Sequence, residues 1–157
     1  MKDKDLLLIS HLRKDARTPM TTISKNTRIP VSTIFDKLKT YKGNVIDKHT
    51  CLLNFKELGY EVKAHLLFKV QKEQREDFLK YIRTHGSTNN IFRVNNGYDY
   101  LVEAVFRNLH ELQEFYEETE NRGVEDKQEH FVLEDVAREQ FLNHKPGFEI
   151  MNGFRNA

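Results

Sequence analysis

The chain has 157 residues, which is enough for one or two compact domains with a hydrophobic core. Hydrophobic residues make up 38% of it and charged residues 31%, a composition that excludes a disordered chain. The longest apolar run, residues 6–9, is far too short to cross a membrane, and the charged start MKDKD is not typical of a signal peptide. We therefore expect a cytoplasmic protein with no membrane partner.

The first third of the chain is basic although the whole chain is nearly neutral. Residues 1–50 contain 11 Lys and Arg against 5 Asp and no Glu, whereas the remainder contains 14 Lys and Arg against 19 Asp and Glu. The net charge is thus +6 in the first part and −5 in the rest. A local basic surface of this kind favours a polyanionic partner, although surface lysines alone are weak evidence.

Three short helices are predicted at the start of the chain. Asp3 or Asp5 can cap the first helix, which ends near residues 14–17. Thr18 is a good N-cap and Pro19 suits the first position of a second helix.

Pro30 stops the second helix near Thr27 and can open a third over residues 31–41, with Arg28-Ile29-Pro30 as the turn. The side chains predicted to face inward are Leu8, Ile9, Leu12, Ile23, Ile34, Leu38 and Tyr41. This outline is typical of a helix-turn-helix, a winged-helix-like unit.

The chain after residue 60 predicts a small sheet covered by helices. The predicted strands cover residues 62–70, 90–94, 99–106 and 129–136. A helix is predicted over residues 72–85, and a second begins at the capping box Asn108-Leu109-His110-Glu111, with Leu109, Leu112, Phe115 and Tyr116 inward. Asn95-Asn96-Gly97 predicts a tight hairpin turn. The fold class is therefore α+β, with a ferredoxin-like βαββαβ domain after the helix-turn-helix.

The predicted domain boundaries follow from these elements. We expect a helix-turn-helix domain at 1–42, a linker with short extended pieces at 43–59, a ferredoxin-like domain at 60–137, and a tail at 138–157. In the tail, Phe148, Ile150, Met151 and Phe154 could dock on a partner subunit, and simple fraying is the alternative.

Four motifs along the chain match the pattern of one known family. The first helix ends in LRKDAR, similar to L-x-x-D-x-R, and the third reads IPVSTIFDKL, similar to L-S-x-S-T-V-x-R-R-I. The segment LLNFKELG is similar to a stretch that leads into a second domain, and NGYDYLV is similar to a G-x-Y-D hairpin. In these motifs the chain resembles the Lrp/AsnC (leucine-responsive, feast/famine) family of transcription regulators. Arg28 departs from the pattern, because the turn usually has Gly there. Either Arg28 has a positive φ, or the turn differs.

The third helix predicts how DNA would be contacted. Ser32 and Asp36 point outward and could meet base edges, while Val31 and Phe35 could touch thymine methyl groups. The expected phosphate contacts are Arg28, Thr33, Lys37, Lys39 and Lys42, together with Thr21 or Thr22. The alternative is that these are solvated helix residues, and that Phe35 belongs to the core.

The resemblance also implies partners for the second domain. Family members form dimers and often octamers, and hold an amino-acid effector near the hairpin, where the matching residues are Gly97, Tyr98 and Asp99. The residues themselves favour a simpler role, in which Asn-Gly is only a turn and Asp99 only satisfies its backbone. The sequence therefore predicts a sequence-specific regulator that binds double-stranded DNA. The alternative is a protein-interaction or metabolite-binding module without DNA binding.

Overall fold

The computed structural model describes residues 2–143, and these divide into two compact units. Among the described residues, one unit comprises residues 2–51 together with 136–143, and the other comprises Leu52–Asp135. The first unit contains α1 (Asp3–Lys14), α2 (Met20–Thr27) and α3 (Val31–Tyr41). The second contains β1 (Val62–Val70), α4 (Arg75–Thr84), β2 (Thr88–Arg93), β3 (Tyr100–Phe106), α5 (Leu109–Glu120) and β4 (Val124–Phe131).

The three helices of the first unit pack around one apolar core. Its buried members are Leu8, Ile9, Leu12, Ile23, Ile29, Ile34 and Tyr41, with Leu38 partly buried against them. The predicted inward faces are therefore confirmed. Burying these side chains supplies most of the stability of helices that are too short to be stable alone.

The helix starts differ in detail from the prediction. Lys2 caps α1, and the Asp5 carboxylate accepts a hydrogen bond from the Lys2 backbone N–H at 3.1 Å. Pro19 is the N-cap of α2 rather than its first residue, so the prediction that Thr18 caps this helix is wrong. The Thr18 hydroxyl instead donates to the Asp15 carbonyl at 2.8 Å, which closes the turn between the two helices.

The turn between α2 and α3 places Arg28 in the left-handed region, with φ of 56°. Its N–H donates to the Ser24 carbonyl at 2.9 Å and so completes the last turn of α2. The Thr27 hydroxyl accepts the Ile29 N–H at 3.3 Å and donates to the Ile23 carbonyl at 2.8 Å. Of the two possibilities left open by the sequence, positive φ at Arg28 is the one observed.

The second unit is a four-stranded antiparallel sheet in the order β2-β3-β1-β4. Its connectivity, β1-α4-β2-β3-α5-β4, is the expected ferredoxin-like one. One face packs against α4 and α5 through alternate residues of β1 and β3, together with Phe78 and Phe115 of the helices. The rings of Phe68 and Phe78 lie 5.2 Å apart between their centroids.

The position of β4 corrects the prediction of residues 129–136. The strand covers Val124–Phe131 and is mostly charged and exposed, which its place at the edge of the sheet allows. The apolar residues that suggested a later strand lie beyond it, with Leu133 and Val136 exposed at 87% and 89%.

One further expectation is corrected. Leu109, at the start of α5, is 63% exposed rather than packed inward. Cys51 is exposed. In the linker the structure has a 3₁₀ turn at Lys56–Leu58, and Ile46 forms an isolated β-bridge with Lys42. Among residues 2–143, no helix is long and apolar enough to cross a membrane.

The start of the predicted tail packs on the first unit. Arg13 forms an ion pair with Glu139, and its Nε donates to the Phe141 carbonyl at 3.2 Å. Leu142 packs against the helical core. The predicted docking residues Phe148, Ile150, Met151 and Phe154 lie outside the described residues.

Candidate functional site

The outer face of α3 is exposed and carries the side chains predicted to meet base edges. Ser32 and Asp36 are exposed, and Phe35 is 52% exposed, so the alternative of a core position for Phe35 is wrong. Val31 is partly buried. Ile34 and Tyr41 anchor the opposite face of the helix in the core. This division gives α3 one face for packing and one for a ligand.

Free cations lie at both ends of this face. Arg28 precedes α3, Lys39 lies in its last turn and Lys42 follows it, and all three are exposed. Within the described part of the chain, none of the three forms an ion pair. The predicted hydroxyl contacts Thr21 and Thr22 are exposed on α2, and Thr33 is partly buried on α3. These groups are available to an anion.

Lys37 differs from the other predicted phosphate contacts. Its Nζ lies 2.5 Å from Oδ1 of Asp5 in α1, whose side chain is only 11% exposed. The hydrogen bond from Lys37 lowers the pKa of the Asp5 carboxyl below its ordinary value. The same hydrogen bond raises the pKa of the Lys37 ammonium. Lys37 is therefore charged and already bound within the protein.

A cleft of about 320 Å³ opens beside this ion pair. It is lined by the start of α1, the turn and the first half of α3, namely Lys2, Asp3, Lys4, Asp5, Arg28, Ile29, Pro30, Thr33 and Lys37. The cleft shows that Arg28 and Thr33 border a concave surface.

The hairpin between β2 and β3 has the predicted turn. Asn96 and Gly97 have φ of 63° and 93°, the pair of positive values that an Asn-Gly turn supplies. The Asp99 carboxylate accepts the Val70 N–H at 2.9 Å and pairs with Arg75 at 2.7 Å. Asp99 thus fixes the hairpin to β1 and α4, through groups outside its own turn.

The sheet face opposite the helices carries a polar cluster among apolar residues. Glu103 of β3, with a side chain 15% exposed, contacts His65 Nε2 at 3.1 Å and lies 3.9 Å from Lys63 Nζ. Burial alone would raise the pKa of Glu103. Hydrogen bonds from Asn89 and His65, together with the Lys63 charge, outweigh burial and lower this pKa.

Apolar side chains surround this cluster on the same face. Leu67 pairs with Leu101 across β1 and β3, and Phe92, opposite Leu101 on β2, is 51% exposed. The described helices lie on the other face, so these side chains have no cover within the unit.

Comparison with known proteins identifies the family. A family model described as the Lrp/AsnC ligand binding domain matches residues 63–141. The HTH-type transcriptional regulator PH1692 of Pyrococcus horikoshii is 30% identical over 139 residues, which cover 87% of this chain and 93% of that protein. The chain belongs to the Lrp/AsnC family of transcription regulators.

Further similar proteins are also regulators of transcription. The regulator FL11 of Pyrococcus furiosus is 29% identical over 116 residues, 73% of this chain and 77% of its own. The solved structure of the Neisseria meningitidis regulator NMB0573 in complex with L-Met matches with a TM-score of 0.80 and 22% identity, and covers 88% of this chain and 93% of that one. At that identity the structural match shows the fold.

Family membership confirms the predicted fold class and function. The protein is a DNA-binding transcription regulator of an oligomeric family that is not enzymatic.

Two features of the site were missed from the sequence. The Asp5 partner of Lys37 lies 32 residues away and gives no local signal. Glu103 was not predicted as a site residue, and the signal that could have marked it is a carboxylate on the same strand face as Leu101 and Val105.

Proposed function

We propose that this Lrp/AsnC regulator reads DNA bases with the outer face of α3. The observation that carries the proposal is the exposure of Ser32, Phe35 and Asp36 opposite a well-buried face. The Asp36 carboxylate can accept from a cytosine amino group, the Ser32 hydroxyl can donate or accept, and Phe35 can touch a thymine methyl group. Val31, partly buried at the start of α3, would reach the same groove. The protein would act in the cytoplasm, where its DNA lies.

Phosphate contacts would come from the groups around this face. Arg28, Lys39 and Lys42 have the free charge needed, and Thr21, Thr22 and Thr33 offer hydroxyl donors. Such contacts fix the register of the helix on the duplex and supply affinity, whereas the base contacts supply specificity.

A second copy of the chain would cover the open sheet face. Leu67, Leu101 and Phe92 form the apolar part of this face, and the Glu103 cluster forms its polar centre. A dimer would present two recognition helices to two half-sites, and this multiplies the weak affinity of a single helix-turn-helix. Octamers would form by further association of such dimers.

A small amino acid is the effector that we propose for the second unit. The structurally similar regulator NMB0573 was solved in complex with L-Met. In this chain the backbone of Gly97 and Tyr98 would meet the zwitterion. Asp99 would act by holding the hairpin, because its carboxylate already binds Arg75 and the Val70 N–H.

The test of the proposed interface is the salt dependence of duplex binding. Each phosphate contact contributes a slope of about −0.9 to log K against log salt. Lys39→Met and Lys42→Met should each weaken binding to a mixed-sequence duplex and reduce the magnitude of the slope by about 0.9 for each bound copy, or about 1.8 for a bound dimer. The matched control is Lys80→Met, which removes an exposed lysine of α4. If the α3 variants behaved as the Lys80 variant does, the interface would be wrong.

A further inference from the structure

Lys37 stands apart from the other cations that the sequence predicts as phosphate contacts, because it has a partner within the protein. Its Nζ lies 2.5 Å from Asp5 Oδ1, whereas Arg28, Lys39 and Lys42 form no ion pair in the part of the chain that the structure describes. Its side chain is 30% exposed, which is intermediate between a surface lysine and a buried one. The sequence alone gave Lys37 the same role as its neighbours.

The ion pair joins two helices at the place where the recognition helix is held. Asp5 lies in the first turn of α1 and is fixed from one side by the Lys2 backbone N–H at 3.1 Å. Lys37 lies in the middle of α3, and Tyr41, one turn further on, is buried in the core with its hydroxyl beside the pair. The pair therefore fixes the position of α3 along α1, because a charged hydrogen bond requires a particular geometry of donor and acceptor. The surrounding apolar contacts have no such geometric requirement.

Release of Lys37 to a phosphate would leave the Asp5 carboxylate without its counter-charge. Asp5 is one of few buried charged residues in the described part of the chain, and an unpaired carboxylate at such a site is disfavoured. Release of Lys37 would also leave the negative charge of Asp5 close to the DNA backbone. We therefore expect Lys37 to stay paired with Asp5 when DNA binds, rather than to exchange Asp5 for a phosphate.

We propose that Lys37 is a positioning residue, which orients the recognition helix through Asp5 and binds no DNA phosphate. The proposal rests on α3 being the helix that reads the bases. A small displacement of α3 would move Ser32 and Asp36 away from base edges but would leave the phosphate-binding cations able to adapt. Loss of the pair should therefore reduce binding to the preferred sequence more than binding to unrelated DNA.

The experiment compares Lys37→Met, Asp5→Asn and the double variant. Binding is measured over a series of salt concentrations, with a duplex enriched from a random pool by the natural protein and with a mixed-sequence duplex. Both single variants should lose about tenfold in affinity for the enriched duplex, and the double variant should lose no more than either, because the pair acts as a unit. The salt slope should stay unchanged in all three.

A phosphate contact at Lys37 predicts a different pattern. Lys37→Met would then reduce the magnitude of the salt slope by about 0.9 for each bound copy, or about 1.8 for a bound dimer, and Asp5→Asn would leave affinity unchanged or raise it by freeing the lysine. Either result would overturn the proposal. Thermal unfolding shows which variants are folded. If Lys37→Met is unfolded, Lys37→Gln replaces it, because a glutamine side chain can still donate a hydrogen bond to Asp5. Lys37→Gln should keep more affinity for the enriched duplex than Asp5→Asn does. An affinity of Lys37→Gln equal to or lower than that of Asp5→Asn would contradict the proposed role of the Lys37–Asp5 pair.

Lys39→Met serves as the control for the interface itself. It should reduce the salt slope where Lys37→Met does not. If Lys39→Met also left the slope unchanged, the proposed phosphate contacts would be wrong. A shared loss of affinity in Asp5→Asn and Lys37→Met would still support the positioning role.

Discussion

Arg28 combines a backbone cost with an exposed charge. Its φ of 56° is a conformation that glycine adopts freely and that other residues adopt at a cost of about 1 kcal/mol. The side chain is exposed at the start of α3, where a phosphate contact is proposed. Stability and DNA binding therefore favour different residues at this position.

Substitution of Arg28 separates these two effects. Arg28→Gly should stabilise the helix-turn-helix by up to about 1 kcal/mol, since it relieves the backbone strain, and should weaken DNA binding. Arg28→Ala removes the charge but keeps the strain, so it should weaken DNA binding similarly without the gain in stability. Denaturant unfolding and duplex titration of both variants measure the two effects. Equal stability of the Gly and Ala variants would show that the turn is unstrained.

The elements whose limits were predicted well are those that neighbouring residues in the sequence determine. Pro19 and Pro30 break the backbone, so the predicted start and end of α3 are those observed, and α2 begins one residue later than expected. Alternating apolar residues placed β1 at its observed limits, because one face of that strand is buried. Helical periodicity likewise separated the exposed side chains of α3 from its buried ones.

The elements and contacts that were missed depend on distant parts of the chain. The strand β4 is charged along most of its length and gains its structure from pairing with β1, which its own sequence does not show. The sequence suggests Asp99 as an effector contact, whereas its contacts with Arg75 and the Val70 N–H follow only from the tertiary fold. The spacing of residues in the sequence predicts which face of a helix or strand a side chain occupies. The group that the side chain contacts follows only from the tertiary fold.

The open sheet face makes a prediction about assembly. Leu101→Glu should dissociate the protein into smaller oligomers or monomers, because it places a second carboxylate beside Glu103 on the face that a second copy would cover. Leu109→Glu makes the same change at a leucine that is 63% exposed at the start of α5, and should leave the mass unchanged. Sedimentation or light scattering measures both. A Leu101 variant with the natural mass would place the dimer interface elsewhere.

At the scale of the whole molecule, the two units have different tasks in one regulator. The helical unit carries the exposed face of α3 and the free cations around it. The sheet unit carries the match to the ligand binding domain and an apolar face that the described helices leave uncovered, where we propose that a second copy binds. Joining the two in one chain makes DNA recognition depend on assembly, since a single helix-turn-helix contacts too few base pairs for high affinity.

Selection of bound duplexes from a random pool tests the recognition role of α3 most directly. The natural protein should enrich a motif with two-fold symmetry and half-sites about one helical turn or more apart, and Ser32→Ala or Asp36→Ala should change the preferred bases at matching positions in both halves. An enriched motif without symmetry, or one unchanged by both substitutions, would contradict the claim that a dimer of this chain reads DNA through α3.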